Sequence, residues 1–294
     1  MPSPQPALPF HRVDVFSAHP FSGNGLTVFP HSADLSAELM QRITQEMRQF
    51  ESIFLAPTTD PGEHTARIFT MEEELDFAGH PLLGAAAVLH ATLRPEAERT
   101  TWRLRLTTRA VELDSERLSH GYSVRMDQGS AHFGAIATAS QRDRVLHALS
   151  LTEADQSPDH PMQMVSTGLP YLIVPVWRGL DHARIATPDF EALLGELGAK
   201  FGYVLDLATR EGRSWDNAGQ VEDIATGSAA GPAGAYLVRY GLAQAGEEIT
   251  LAQGRYAGRP SQMLVRVSQD VAELRIEVSG GVTFVGDGEL YVLG

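Results

Sequence analysis

Hydrophobic residues recur every four positions in the segment from residue 34 to residue 50. Leu39, Ile43 and Met47 fall on one face of a helix with 3.6 residues per turn, and most positions between them are polar. The first residue of the segment, Asp34, or Ser36 can supply the N-cap, because a short polar side chain accepts a hydrogen bond from the first turn. The pattern predicts an amphipathic helix over residues 34–50.

Two other segments, residues 78–89 and 226–237, are apolar on nearly every side and rich in alanine and glycine. A helix of this composition is buried, and its small side chains let surrounding backbone approach closely. Strands are predicted over residues 102–106, 110–113 and 122–126 after the first segment, and over residues 249–252, 262–267 and 273–278 after the second. Shorter helices are predicted over residues 141–149 and 191–197. The chain is therefore expected to be α+β, with one central helix in each half.

The two halves of the chain repeat each other approximately. Each begins with a strand, a turn and a second strand, and each has an Arg-x-aromatic element before its apolar helix, Arg67-Ile68-Phe69 and Arg213-Ser214-Trp215. Gly79 then matches Gly227 at the two helix starts. Coincidence between turns rich in glycine and alanine is the alternative, but the aligned flanking strands favour a true repeat.

The repeat predicts two domains of similar build. We place the first at residues 10–128 and the second at residues 129–283, and a C-terminal strand at about residues 284–294 can return to the first domain. A length of 294 residues agrees with two domains of ordinary size.

Composition excludes several classes of function. The net charge of −14 disfavours nucleic-acid binding, because an acidic protein repels the phosphate backbone. The absence of cysteine excludes disulfides, thiolate nucleophiles and cysteine-bound metal. The histidines lack the spacing of metal ligands, and no dinucleotide, phosphate-loop or Gly-x-Ser-x-Gly motif is present. We therefore expect no metal, no cofactor and no serine hydrolase.

Candidate chemistry lies at the two predicted helix starts, Gly79-His80 and Gly227-Ser228. Unpaired N–H groups and the helix dipole make such a position suitable for a carboxylate. The alternative is that both are packing turns that require glycine. His80 is either a substrate contact or a structural histidine, and Asp223 either caps the second helix start or binds substrate.

Glu51 stands in an otherwise apolar stretch that follows the predicted amphipathic helix. A desolvated carboxylate has a raised pKa and is suited to moving protons near neutral pH. The alternative is an exposed glutamate at the start of a strand.

In combination and order, these motifs resemble the phenazine-biosynthesis isomerase (PhzF-like) family of the diaminopimelate-epimerase-like superfamily. The similarity spans nearly the whole chain. The matching motifs are Val13-Asp14-Val15-Phe16, the Glu51 segment, Arg67-Ile68-Phe69-Thr70, Phe77-Ala78-Gly79-His80-Pro81, Ser166-Thr167-Gly168-Leu169-Pro170, the segment from Glu222 to Ala230, and Gln253-Gly254.

The resemblance implies two pseudo-symmetric domains, each a curved, mostly antiparallel, barrel-like sheet around a central helix, with the site in the cleft between them. It implies a cofactor-independent isomerase that moves a proton on a small cyclic or unsaturated carboxylate. Glu51 would be the acid/base. Further matches assign substrate contacts to five residues: Gly79, His80, Asp223, Gly227 and Ser228.

Superfamily racemases that use two cysteines place one at each helix start, where this chain has Ala78 and Thr226. A two-cysteine epimerase is therefore excluded. Two alternatives remain: a lyase or dehydratase on the same fold with Thr226 active, and a non-catalytic protein that binds small acids. We expect a cytoplasmic protein with no membrane or nucleic-acid partner, since no signal peptide or membrane span is read. A homodimer is suggested by the resemblance alone.

Overall fold

The computed structural model describes residues 7–270 and 273–291. The chain divides into two compact units. The first comprises Met1–Met126 with Ser279–Gly294, and the second comprises Asp127–Val278.

The first unit consists mainly of antiparallel strands with two helices. Its elements are β1 (Ala7–Val15), β2 (Asn24–Phe29), α1 (Ala37–Met47), β3 (Glu51–Pro57), β4 (Glu63–Thr70), β5 (Glu74–Leu75), α2 (Gly79–Leu93), β6 (Arg99–Arg105), β7 (Ala110–Arg117) and β8 (Tyr122–Ser130), whose last residues belong to the second unit. Two pairs are parallel, β2 with β3 and β4 with β6, and the other neighbours are antiparallel.

The second unit has the same order of pairings. Its elements are β9 (His132–Ile136), α3 (Ala139–Ala148), β10 (Gln163–Ser166), β11 (Pro170–Val176), α4 (Phe190–Glu196), β12 (Phe201–Asp206), β13 (Glu211–Trp215), β14 (Glu222–Asp223), α5 (Gly227–Arg239), β15 (Glu248–Gln253), β16 (Ser261–Asp270) and β17 (Glu273–Tyr291). Counted from β10, which matches β1, the parallel pairs are again the second with the third strand, β11 with β12, and the fourth with the strand after the central helix, β13 with β15. The internal repeat predicted from the sequence is therefore present in the strand order.

The final strand differs from its prediction. Separate strands were expected at residues 273–278 and about 284–294, but β17 is continuous, and its second part pairs with β1 from Val282 to Tyr291. A Cβ at Gly280 would lie 2.4 Å from the Phe16 ring, so this glycine makes room for an aromatic ring within the strand. Residues 292–294 of the predicted strand lie outside the described part of the chain.

Helix α1, Ala37–Met47, is shorter than the predicted 34–50 at both ends, and its N-cap is the second of the two predicted candidates. Ser36 is the N-cap and accepts a hydrogen bond from the backbone N–H of Leu39. Arg48 has a left-handed backbone with φ 52°, which ends the helix before residue 50. The buried face includes Met40 and Ile43, as expected for an amphipathic helix on a sheet.

The two central helices, α2 and α5, are buried along almost their whole length, as their composition predicted. Small residues permit this burial: a Cβ at Gly84 would lie 2.4 Å from the Leu26 side chain. Within residues 7–270 and 273–291, no helix combines the length and apolar character needed to cross a membrane.

Candidate active site

Glu51 is the first residue of β3 and is buried, with only 6% of its surface exposed. Its neighbours in the sheet are Leu26 on the parallel strand β2 and Thr70 on the antiparallel strand β4. The alternative of an exposed glutamate therefore does not hold. Strand pairing on both sides fixes the backbone from which this carboxylate projects.

His80 lies beside Glu51. It is the second residue of α2, and its Nδ1 is 3.3 Å from Glu51 Oε2, with both side chains more than nine-tenths buried. The other ring nitrogen, Nε2, is also buried and has no hydrogen-bond partner within the described part of the chain. The first unit thus brings a carboxylate and an imidazole together in a nearly dry environment.

Burial lowers the pKa of His80 to about 3, because the charged imidazolium loses its hydration. The ring is therefore neutral at neutral pH. In the neutral ring one nitrogen donates and the other accepts. Nδ1 lies 3.3 Å from the Glu51 carboxylate, and Nε2 is buried without a hydrogen-bond partner in the described part of the chain.

Gly79 begins α2, directly after the N-cap Ala78, whose side chain cannot cap the helix. Thr226 is the N-cap of α5, and its hydroxyl makes no capping hydrogen bond to the first turn. Both helix starts therefore lack the side-chain acceptor that usually satisfies the first N–H groups. The predicted positions of Gly79 and Gly227 as first helical residues are confirmed.

Asp223 ends the two-residue strand β14 in the second unit and is partly exposed. Its Oδ2 accepts a hydrogen bond from Thr226 Oγ1 at 2.8 Å, and its Oδ1 accepts one from the backbone N–H of Ala225 at 3.3 Å. The local role considered from the sequence is thus observed.

Ser228 is the second residue of α5, as His80 is the second residue of α2. Its Oγ is 2.6 Å from the hydroxyl of Tyr171, which is buried on β11. The carbonyl of Gly227 accepts a hydrogen bond from Gln128 Nε2 at 2.9 Å. Hydroxyl and amide groups therefore surround the second helix start, in contrast to the titratable pair at the first.

A buried ion pair flanks the second helix start. Arg213 donates to both oxygens of Glu222 at 2.9 and 2.7 Å, and its guanidinium lies over the ring of Trp215. Arg67 and Glu74 form the same bidentate pair in the first unit, with Arg67 over Phe69. The Arg-x-aromatic element found in the sequence therefore forms the same ion pair and the same ring contact in each unit.

Three residues near the second helix start were not predicted as site residues: Tyr171, Gln128 and Gln253, whose Nε2 donates to the carbonyl of Asp223. Gln253 had appeared only within a matching motif, and its contact with the Asp223 segment spans 30 residues of sequence. No short-range pattern reports such a contact. Only the repeat, which aligns the strands of the two halves, could have pointed to these positions.

A cavity of about 270 Å³ opens elsewhere in the first unit, at the C-terminal end of α2. Its lining includes His31, Pro57, His64 and Leu89. None of the predicted site residues lines it. We therefore assign the candidate chemistry to the helix starts, where the titratable groups lie.

Residues 13–288 match the family described as phenazine biosynthesis-like protein. The chain belongs to this PhzF family. The match covers almost the entire chain and includes both helix starts, so the resemblance inferred from the sequence motifs is confirmed.

Relatives of known structure or function agree with the family. The trans-2,3-dihydro-3-hydroxyanthranilate isomerase of Pseudomonas chlororaphis is 35% identical over 284 residues, covering 92% of this chain and 95% of that protein. A solved structure, described as a predicted epimerase from Pseudomonas aeruginosa, has 49% identity and a TM-score of 0.91, covering 97% of this chain and all of that one.

The fold extends beyond the PhzF family. The structure of a probable proline racemase from Agrobacterium radiobacter aligns over 97% of this chain and 93% of that one, with a TM-score of 0.62 and 12% identity. At this identity only the fold is shared. The predicted α+β, diaminopimelate-epimerase-like fold and the assignment as a PhzF-like isomerase are confirmed.

Proposed function

We propose that the protein is a cofactor-independent isomerase that transfers a proton within a small cyclic or unsaturated carboxylate. The observation that carries the proposal is the buried contact between Glu51 and the neutral imidazole of His80. A carboxylate held in a nearly dry site by a neutral donor can act as base and then as acid without an external proton carrier.

In the proposed reaction, the Glu51 carboxylate removes a proton from one carbon of the substrate. The electron pair left behind shifts the double bond, and the protonated Glu51, whose acidic proton exchanges with solvent, delivers a proton to another carbon. The substrate is isomerised, and Glu51 ends in its starting state. No atom is gained or lost, so no co-reactant is needed.

We propose that six residues form one site in the cleft between the two domains: Glu51, Gly79, His80, Asp223, Gly227 and Ser228. Two uncapped helix starts suit the carboxylate of the substrate, because their N–H groups and dipoles stabilise negative charge. Preorganised donors of this kind also stabilise charge that develops during proton removal.

The substrate class comes from the relatives. Trans-2,3-dihydro-3-hydroxyanthranilate, the compound named for the Pseudomonas chlororaphis relative, is a cyclic unsaturated carboxylate. At 35% identity, we propose the same chemical class for this chain and leave the individual compound to experiment. The cytoplasmic location and the homodimer stay predictions.

The test is to incubate the protein with this compound and related unsaturated acids in H₂O and in D₂O, and to analyse the products by NMR and mass spectrometry. An isomer of unchanged mass in H₂O, formed with proton transfer, supports the proposal. A product lighter by one water would identify a dehydratase. Binding without any reaction across the panel would identify an acid-binding protein.

A further inference from the structure

Gln253 is the last residue of β15 and is 1% exposed. Its Nε2 donates to the carbonyl of Asp223 at 2.7 Å and to Thr226 Oγ1 at 2.9 Å, while its Oε1 accepts from the backbone N–H of Thr226 at 3.2 Å. A backbone N–H can only donate, so the amide atom that faces the Thr226 N–H is the oxygen Oε1. The nitrogen Nε2 then faces the Thr226 hydroxyl. One buried side chain therefore holds three groups of the turn before α5.

These hydrogen bonds set the direction of the Thr226 hydroxyl. Because Thr226 Oγ1 accepts from Gln253, its own hydrogen is available for Asp223 Oδ2, 2.8 Å away. The Asp223 carboxylate is then held through its side chain by Thr226 and through its backbone by Gln253. The result is a carboxylate with a defined orientation beside the second helix start.

The backbone around Gln253 is itself held against the same turn. Ser261 Oγ lies 2.9 Å from the Gln253 carbonyl and 3.0 Å from the Ile224 carbonyl. Gly254 has φ 80°, and a Cβ there would come within 2.5 Å of the Ile224 carbonyl. The chain after β15 thus packs backbone to backbone on residues 223–226.

The first unit has the same turn without these polar groups. Leu75 pairs with Ile68 as Asp223 pairs with Ser214, and Ala78 is the N-cap as Thr226 is. In the parallel pairings, Arg105 lies opposite Thr65 as Ala252 lies opposite Glu211. The next residues, Leu106 and Gln253, therefore occupy matching positions in the two units.

All three polar positions of the second unit are therefore apolar in the first: Leu75, Ala78 and Leu106. Since α2 begins in the same way as α5 without them, the fold does not need this network to start its central helix. A function specific to the second unit explains why the polar set is present there.

We propose that Gln253 is a positioning residue that orients the Asp223 carboxylate toward the substrate, directly through the Asp223 carbonyl and indirectly through the Thr226 hydroxyl. This inference rests on the proposed function, in which Asp223 contacts the substrate. Gln253 is buried and acts through its neighbours, so its effect on the reaction is indirect.

The test compares Gln253→Glu and Gln253→Leu with wild type, using Gln262→Glu, the same change at an exposed position of β16, as the control. In Gln253→Glu, an ionised glutamate cannot donate and repels Asp223, whereas a protonated one restores a donor. We expect kcat/KM for isomerisation to fall about 10- to 100-fold at pH 8 and to recover several-fold toward pH 5 in this variant. Gln253→Leu, which reproduces the first unit, should lose activity without recovery.

Amide hydrogen exchange of residues 223–228 provides a second measurement that needs no substrate. We expect faster exchange in Gln253→Leu than in wild type and little change in Gln262→Glu. Unchanged exchange in Gln253→Leu would overturn the inference, and so would faster exchange with wild-type kcat/KM at every pH. If wild type itself is inactive, the proposed function fails, and exchange alone decides whether Gln253 holds the turn.

Discussion

The two units build the same helix start but place different chemistry on it. In the first unit the second helical residue is His80, beside Glu51 at the start of β3. The matching positions of the second unit are Ser228 and Phe201. Phe54 pairs with Arg67 as Val204 pairs with Arg213. Glu51 and Phe201 each lie three residues before these paired positions. A titratable pair in one unit is thus replaced by a hydroxyl and an aromatic ring in the other.

The neighbouring strand differs in a related way. Leu26 lies opposite Glu51, whereas Tyr171 lies opposite Phe201 and places its hydroxyl on Ser228. The Arg–Glu pair below each helix is kept in both units. The repeat therefore preserves the parts that shape the turn and varies the parts that can react. Under the proposed function, proton transfer belongs to the first unit.

The largest expected effect is on the residue that most distinguishes the units. Glu51→Gln keeps the size of the side chain and an acceptor for His80 but removes the base. We expect turnover to fall about 10²- to 10⁴-fold, the range for losing a general acid/base. Steady-state kinetics measure this loss. Glu46→Gln, an exposed change on α1, is the control and should keep wild-type activity. Normal turnover in Glu51→Gln would contradict the proposed role of Glu51 as the base.

The two Arg–Glu pairs should differ in their effect on stability. The side chains of Arg213 and Glu222 are 9% and 15% exposed, while those of Arg67 and Glu74 are 35% and 34% exposed. Arg213→Met leaves a mostly buried carboxylate unpaired and removes a donor from the Leu180 carbonyl. We expect a loss of about 3–5 kcal/mol in the free energy of unfolding.

Arg67→Met is the matched variant, and we expect a loss of about 1 kcal/mol or less because water screens the exposed pair. Urea denaturation of both variants measures the difference. Equal losses would show that the two ion pairs contribute equally to the free energy of unfolding, despite their different burial.

The buried imidazole should make stability depend on pH. His80 titrates near its ordinary value of 6.5 in the unfolded chain, whereas burial lowers its pKa to about 3 in the folded protein. Below pH 6.5 the unfolded state binds a proton that the folded state excludes. The free energy of unfolding therefore decreases as the pH is lowered, by up to about 1.4 kcal/mol per pH unit.

His80→Gln should remove this contribution between pH 6.5 and pH 3, and it should make no such difference above pH 6.5. Denaturation curves at a series of pH values give the slopes. His120→Gln changes an exposed histidine and is the control. An unaltered slope in His80→Gln would contradict a buried neutral ring.

The smallest expected effect concerns the hydroxyl pair of the second unit. Tyr171→Phe and Ser228→Ala each remove one partner of the 2.6 Å contact. A double-mutant cycle on the free energy of unfolding should give a coupling of about 1 kcal/mol, typical of a neutral hydrogen bond. No coupling would mean that the two hydroxyls do not stabilise each other.

The sequence predicted those features that depend on local composition or on the repeat. The burial of the two apolar helices follows from their composition, and Ser36 was one of two predicted N-cap positions for α1. The pattern left open whether Glu51 is buried or exposed. The ends of elements were less accurate: α1 stops at Met47 because the backbone of Arg48 is left-handed.

Contacts between distant strands were not predicted. Gln253 reaches Asp223 only because β13 and β15 are neighbours, and Tyr171 reaches Ser228 only because β11 packs beside α5. Side chains brought together in this way leave no periodic signal in the sequence. The long strand β17 was predicted as two separate strands, and its second part pairs with β1, which lies far away in the sequence.

The most direct test of proton transfer by Glu51 is solvent-deuterium incorporation into trans-2,3-dihydro-3-hydroxyanthranilate or another acid that wild type converts. Wild type and Glu51→Gln are incubated in D₂O, and the labelled carbon is located by NMR. We expect deuterium at a single carbon of the product with wild type and none with Glu51→Gln. Label appearing at the same carbon and the same rate with Glu51→Gln would contradict the assignment of Glu51 as the acid/base.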